Sequence, residues 1–284
     1  MTTTIVVGWD GSPAARRALD WAVARADATH ETIVMVNVLN RGTPLVSSIV
    51  TEQALATEHL KTDAEAQRII DEHPHLHLNT HVVAGNPLDQ LSMFSRADNL
   101  IAVGTDQRRG LRLRYRWSLG ARLAGSAPGA VVIIPDTDGL RSGVVVGVDG
   151  SEVSLKAARV AANEAMRLGE ELHIVHAWLE PMVDVPDLYP ENHFVVELER
   201  EHQIVLDSAV HSIAASHPEL ATRPHLIRDD PHHALNKVII GASTLVLGNR
   251  HVHGVARLLL GSVSHTMILN IRIPTIVVGA DYQI

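Results

Sequence analysis

Residues 5–12 read Ile-Val-Val-Gly-Trp-Asp-Gly-Ser, and residues 144–151 read Val-Val-Val-Gly-Val-Asp-Gly-Ser. Each is a short β-branched run that ends in glycine, meets an aspartate, and turns through Gly-Ser into an alanine-rich segment, 13–28 and 152–168. Two further matches follow in the same order. Asn99-Leu-Ile-Ala-Val-Gly104 corresponds to Thr244-Leu-Val-Leu-Gly248, and Ala130-Val-Val-Ile-Ile134 to Thr275-Ile-Val-Val278. The early pair is offset by 139 residues and the later pairs by about 144, so the chain is one unit written twice with small insertions.

Working outward, each half alternates strand and helix patterns. Strands are predicted at 4–9, 32–39, 78–84, 99–104 and 130–134, then at 143–149, 171–178, 223–228, 244–248 and 275–278. They are continuous apolar runs rather than alternating ones, which predicts strands covered on both faces. Long helical stretches at 52–72 and 194–216 lie between them. Strand–helix alternation predicts a parallel sheet with right-handed crossovers. Pro135-Asp-Thr-Asp-Gly139 is polar and rich in breakers, which puts a domain boundary there: 1–138 and 139–284.

Composition narrows the function classes. The 284 residues, 46% of them hydrophobic, suffice for two domains with cores of their own. No cysteine is present, so disulfides, thiol chemistry and Cys-ligated zinc are excluded, and a reducing, cytoplasmic compartment is expected. No basic segment followed by an apolar run opens the chain, and no apolar run approaches the ~20 residues that span a bilayer. A formal charge of -8 argues against nucleic-acid binding.

In doubly wound sheets ligands bind outside the carboxyl ends of strands, where strand order reverses. Asp10 and Asp149 occupy such positions at the end of the first strand of each half, and Ser12 and Ser151 can cap the helices that follow. The residues alone leave the aspartates evenly poised between ligand contact and helix capping. The second candidate follows the fourth strand. In the second half Gly248-Asn-Arg-His251 is separated by nine residues from Gly261-Ser-Val-Ser264, which opens a helix. Glycine allows backbone N–H groups to approach an anion, and a helix start adds unpaired donors and the positive dipole end.

These residues resemble the universal stress protein family in its tandem form. The resemblance rests on Val-Gly-x-Asp-Gly-Ser in each half, on the strand-four glycine and on Gly261-Ser-Val-Ser-His265. Val83-x-Gly85-x-Pro87 adds to it, with a weaker echo at Asp229-Asp-Pro231. It implies a Rossmann-like five-stranded parallel sheet in each half, with fifth strands paired across a domain or subunit interface, and association as a homodimer. It also implies ATP, with or without Mg, held by a Gly-x2-Gly-x9-Gly-Ser/Thr loop, with the strand-one aspartate and the residue ending strand two against adenine. Carried over, the second-half set is Gly147, Asp149, Ala177, Gly248, Asn249, Arg250, His251, Gly261, Ser262, Val263 and Ser264. The first-half set is Gly8, Asp10, Val38, Gly104, Gln107 and Ser118.

The two halves depart from that pattern unequally. His251 replaces the middle glycine of the second half, which costs ~1–2 kcal/mol if that position takes positive φ. The first half reads Gly104-x2-Gln107-x9-Trp117-Ser118 and has lost two of three glycines. One lost charge-assisted phosphate bond costs roughly 1.5–3 kcal/mol, on the order of ten- to a hundredfold in affinity. Nucleotide binding is therefore expected mainly in the second half. cAMP, with fewer phosphate contacts, is a variant of this reading, and a ligand-independent docking protein is its rival. No nucleophile–base pair and neither His-x-Gly-His nor Ser-Gly-Gly-x-Asp-Ser is present, so an enzyme is not expected, slow ATP hydrolysis aside.

The remaining features favour plainer readings. The arginines at 108, 109, 112, 114 and 116 form either a basic rim or a solvated loop. The 18 histidines include His73-Pro-His75-Leu-His77, His232-His233 and His251-Val-His253, but a metal needs converging ligands, and none is predicted. The proline-rich loop 179–191 reads as a variable connection beside the expected adenine position, and Trp178 as either an adenine neighbour or a core indole.

Overall fold

The computed structural model describes residues 4–40, 48–106, 118–137, 141–180, 191–249 and 261–283. In the first half the elements are β1 (Thr4–Trp9), α1 (Pro13–Thr29), β2 (Thr32–Asn40), α2 (Ser48–Glu72), β3 (Leu78–Gly85), α3 (Pro87–Ser92), β4 (Asn99–Gly104), α4 (Leu119–Ser126) and β5 (Ala130–Ile134). The second half repeats them as β6 (Val144–Gly147), α5 (Glu152–Leu168), β7 (Leu172–Trp178), α6 (Glu191–Ser216), β8 (Thr222–Arg228), α7 (Pro231–Val238), β9 (Thr244–Gly248), α8 (Ser262–Leu269) and β10 (Thr275–Val278). All ten strands expected from the sequence are present. The short helices α3 and α7 are additions, each started by a capping Asn86 or Asp230 followed by proline at the first helical position.

All ten strands form one sheet in the order β3-β2-β1-β4-β5-β10-β9-β6-β7-β8. Every pairing within a half is parallel, and the halves meet through an antiparallel β5–β10 contact. In that contact Val132 lies opposite Ile276, equivalent positions in the repeat, so a pseudo-two-fold axis passes between them. The exposed Pro224 is accommodated because β8 pairs only with β7, at the sheet's edge.

The two faces of the sheet are covered differently. On one, α1, α2, α5 and α6 share a continuous core that crosses the junction, from Ile5, Leu19 and Ile33 to Ile174, Leu206 and Ile276. The alanine-rich segments 13–28 and 152–168 form α1 and α5, with Ala15, Ala18, Ala22 and Ala26 on α1, and Ala158, Ala161, Ala162 and Ala165 on α5, buried at helical spacing. On the other face α3 and α4 cover the first half and α7 and α8 the second. Ile268 and Ile271 from α8 and the segment after it pack into the first half's cluster, so this face too crosses the junction. Ser12 and Ser151 cap α1 and α5 by accepting from Ala15 N–H (3.1 Å) and Ser154 N–H (3.3 Å).

Candidate functional site

The order β9-β6-β7 sets the crevice in the second half. The chain leaves β6 for α5 on one face and β9 for α8 on the other, the topological switch at which open α/β sheets receive ligands. Asp149 follows β6, and Gly248 ends the adjacent β9. The Asp149 carboxylate accepts from Ser151 N–H (3.0 Å) and Ser151 Oγ (2.5 Å), so it shapes the Gly-Ser turn. Gly147, Ala177 and Val263 lie on the α7/α8 face. An added Cβ at Gly147 would meet Leu247 at 3.4 Å and Leu235 at 3.5 Å, and Ala177 and Val263 pack against the same cluster.

At the start of α8 the candidate residues divide. Gly261 is the N-cap and brings no side chain to cap the helix; every other described helix with an assigned N-cap has a Ser, Asn or Asp side chain there. Helical geometry offers the amides of Ser262, Val263 and Ser264 no intrahelical acceptor. Gly261 has φ in the ordinary negative region, and an added Cβ would meet no described atom within 4 Å. Ser262 is exposed, whereas Ser264 is buried and its Oγ donates to Gly248 C=O (3.1 Å). Asn249 is fully buried and turned inward, its carboxamide held by Gly261 N–H and Ala124 C=O. Sequence placed both Ser264 and Asn249 among ligand contacts; their side chains are instead engaged in the fold. Arg250 and His251 lie outside the described residues.

The first half repeats the frame with a closed helix start. Ser118 Oγ accepts from Ala121 N–H (3.2 Å), capping α4. Asp10 accepts from Ser12 N–H (2.9 Å). Val38 packs half-buried on the α3/α4 face, and an added Cβ at Gly8 would meet Val103 at 3.1 Å. Gly104 is explained by packing: an added Cβ would sit 1.8 Å from Ala14 C=O, so α1 presses its backbone directly on β4. Gln107, Trp117, the arginine run 108–116 and loop 181–190 lie outside the described residues.

Beneath Asp149 and Ala177, on the opposite face, sits a titratable pair. His176 Nδ1 is 2.8 Å from Val148 C=O and so carries hydrogen; in the neutral pair its Nε2 accepts from His202 Nδ1 across 2.9 Å. Trp178, on this face and not on that of Ala177, stacks on His202 and is a core indole. Burial, then the neighbouring His176, lowers the His202 pKa below its ordinary value, against a raising contribution from Glu201. His225 is lowered in the same way by burial, His173 and Arg223, against Glu171. A folded pKa below the unfolded one means that the unfolded chain holds more protons once pH drops below about 6.5, so acid favours unfolding there. Stability is expected to fall between pH 7.5 and 5.5, above the range in which carboxylates titrate. Urea midpoints at the two values check this, and an equal or higher midpoint at pH 5.5 would contradict it.

The histidine runs form no metal cluster among the described residues. His73 and His75 instead contact Asp27 at 3.1 and 2.9 Å, and His232 and His233 lie ring to ring at 5.1 Å. Among the described residues no helix is long and apolar enough to cross a membrane.

Comparison with known proteins agrees with this architecture. Two universal stress proteins of Mycobacterium tuberculosis (strain ATCC 25618 / H37Rv) are 27% and 29% identical over 307 and 288 residues. Each alignment covers 96% of this chain, and respectively 94% and 95% of the relative. Among solved structures, a universal stress protein from Archaeoglobus fulgidus superposes with a TM-score of 0.71 at 19% identity, covering 98% of this chain and 96% of that one. The Universal stress protein family model matches residues 1–135 and again 142–279. Repeat, sheet and matches together establish that the chain belongs to the universal stress protein family, as a tandem pair of its domains.

Proposed function

We propose that the chain binds an adenine nucleotide in its carboxyl-terminal half, ATP with or without Mg, and that occupancy regulates its contacts with partner proteins. The observation that carries this reading is the start of α8 at the mouth of the β6/β9 crevice, where the N-cap residue Gly261 has no side chain to take the amides that follow it. Such donors, with the positive end of the helix, favour phosphate oxygens. Gly261 supports the reading because the fold does not require glycine there: its φ is ordinary and the space beside it is open among the described residues. In this proposal Asp149, Gly147 and Ala177 face the base, the amides of Ser262, Val263 and Ser264 with the Ser262 hydroxyl hold the phosphates, and Gly248, Arg250 and His251 complete the loop.

The first half supports a second reading for itself. Ser118 already caps α4, and Gly104 is accounted for by Ala14, so we propose that Gly8, Asp10, Val38, Gly104, Gln107 and Ser118 bind nucleotide weakly and that this half serves as a docking module. We further propose a non-catalytic, cytoplasmic protein that associates as a homodimer.

Isothermal titration with ATP, with cAMP as the parallel titrant, tests the proposal, and mass spectrometry of ligand released from the denatured protein identifies what co-purifies. No heat and no thermal shift at millimolar nucleotide would leave the docking role for the whole chain. Gly261→Trp, which copies the residue of the first half, is expected to abolish ATP binding while changing the melting temperature little, since a Cβ at this position meets no described atom within 4 Å. Unchanged affinity in that variant would refute the placement of the phosphates.

A further inference from the structure

We propose that Asn249 is not a ligand contact but a strut between the halves, through which occupancy of the second-half site is felt at α4 of the first half. The inference rests on the nucleotide reading above. Asn249 follows β9, and its backbone N–H donates to Val278 C=O (2.8 Å), which fixes the main chain against β10. Its side chain has 0% exposure. Oδ1 accepts from Gly261 N–H at 3.3 Å, and Nδ2 donates to Ala124 C=O at 2.9 Å.

Those two partners are chemically distinctive. Gly261 N–H is one of the donors that the start of α8 leaves without an intrahelical acceptor. Ala124 C=O lies in the last turn of α4 (Leu119–Ser126), among the carbonyls that a helix end leaves unpaired. One carboxamide therefore joins the positive end of a helix in the second half to the negative end of a helix in the first. A buried amide is stable only with both its donor and acceptor functions engaged, so movement of either helix end is felt at the other. The apolar contact of Ile268 and Ile271 with the α4 cluster makes the two helices one packed layer. An anion drawn to the amides of Ser262 and Val263 acts on the end of α8 that Asn249 grips, and the strain relayed through Nδ2 reaches Ala124.

The arrangement is one-sided. The repeat places Thr105 where the second half has Asn249, and a threonine carries no carboxamide to join two helix ends. Thr105 C=O instead accepts from Arg17 (3.2 Å). The second-half site is thus braced by the first half, and Thr105 provides no matching carboxamide brace in the opposite direction.

Hydrogen–deuterium exchange of the full chain with and without ATP tests the coupling directly. ATP is expected to slow exchange at the end of α4, including the Ala127 N–H that closes on Leu123 C=O. In Asn249→Thr, which installs the residue the first half carries, the α4 response is expected to vanish and ATP affinity to fall by about tenfold. ATP binding by the unmutated chain with α4 exchange unchanged would overturn the coupling and leave the nucleotide reading standing. That measurement decides the matter even if the variant unfolds. An Asn249→Thr protein with normal affinity and a normal α4 response would overturn it equally, and failure of the unmutated chain to bind ATP would overturn both readings.

Discussion

Gly104→Ala is expected to destabilise the ligand-free protein by at least about 4 kcal/mol, enough to leave much of it unfolded at 37 °C. The methyl carbon would sit 1.8 Å from the Ala14 carbonyl oxygen and 2.2 Å from its carbon, and both belong to the backbone of α1. Neither can turn aside as a flexible side chain would. The first turn of α1 would have to lift from β4, opening the core around Leu19 and Ala18, which are fully buried. The equivalent contact in the second half is looser, with Val153 C=O 2.9 Å from the Cβ position at Gly248, so Gly248→Ala is expected to cost about 1–3 kcal/mol. Urea unfolding of both variants without nucleotide measures the difference. If the strand-four glycines served only a ligand, both apo proteins would be as stable as the parent. The contact with α1 also accounts for the strand-four glycine that the first half keeps, independently of any ligand.

The fold was readable because its determinants are local and written twice. The runs at 4–9, 99–104 and 130–134 have no polar residue beyond the opening Thr4 and Asn99 to give a solvent face, and each became a strand covered on both sides. Asn86-Pro87 and Asp230-Pro231 carry a cap followed by proline, the signal that would have announced α3 and α7. The site was legible as a place rather than as a set of contacts. Strand ends and glycines located the crevice, but spacing could not tell that Asn249 and Ser264 turn inward while Ser262 stays exposed. The partner that decides this for Asn249 is Ala124, 125 residues away in sequence. Trp178 was ambiguous for a related reason: one step along β7 from Ala177 reverses the face, and only the packing of α6 shows which face holds His202.

The second large effect is expected at the junction of the halves. Arg25 on α1 and Glu164 on α5 are equivalent positions of the repeat, and they form an ion pair across the pseudo-two-fold axis. Two identical halves related by that axis would set this residue against its own copy, with like charges opposed in a buried site. Divergence to arginine on one side and glutamate on the other turns that repulsion into attraction and matches the halves to each other rather than to copies of themselves. Burial alone would push the Glu164 carboxyl up, but the Arg167 hydrogen bond and the Arg25 charge outweigh it and hold the pKa below its ordinary value. Arg25 also holds Glu31 at 2.8 Å. Arg25→Leu would leave two carboxylates without it, one of them 1% exposed, and is expected to destabilise by about 3 kcal/mol, Arg167 sparing part of the full penalty. Adding Glu164→Leu removes the most deeply buried stranded charge, so the double variant is expected to recover at least about half of the loss, a coupling that a double-mutant cycle in urea reads out. Additive losses would mean that the two side chains stabilise their own halves independently and that the β5–β10 pairing and apolar packing hold the junction without this ion pair.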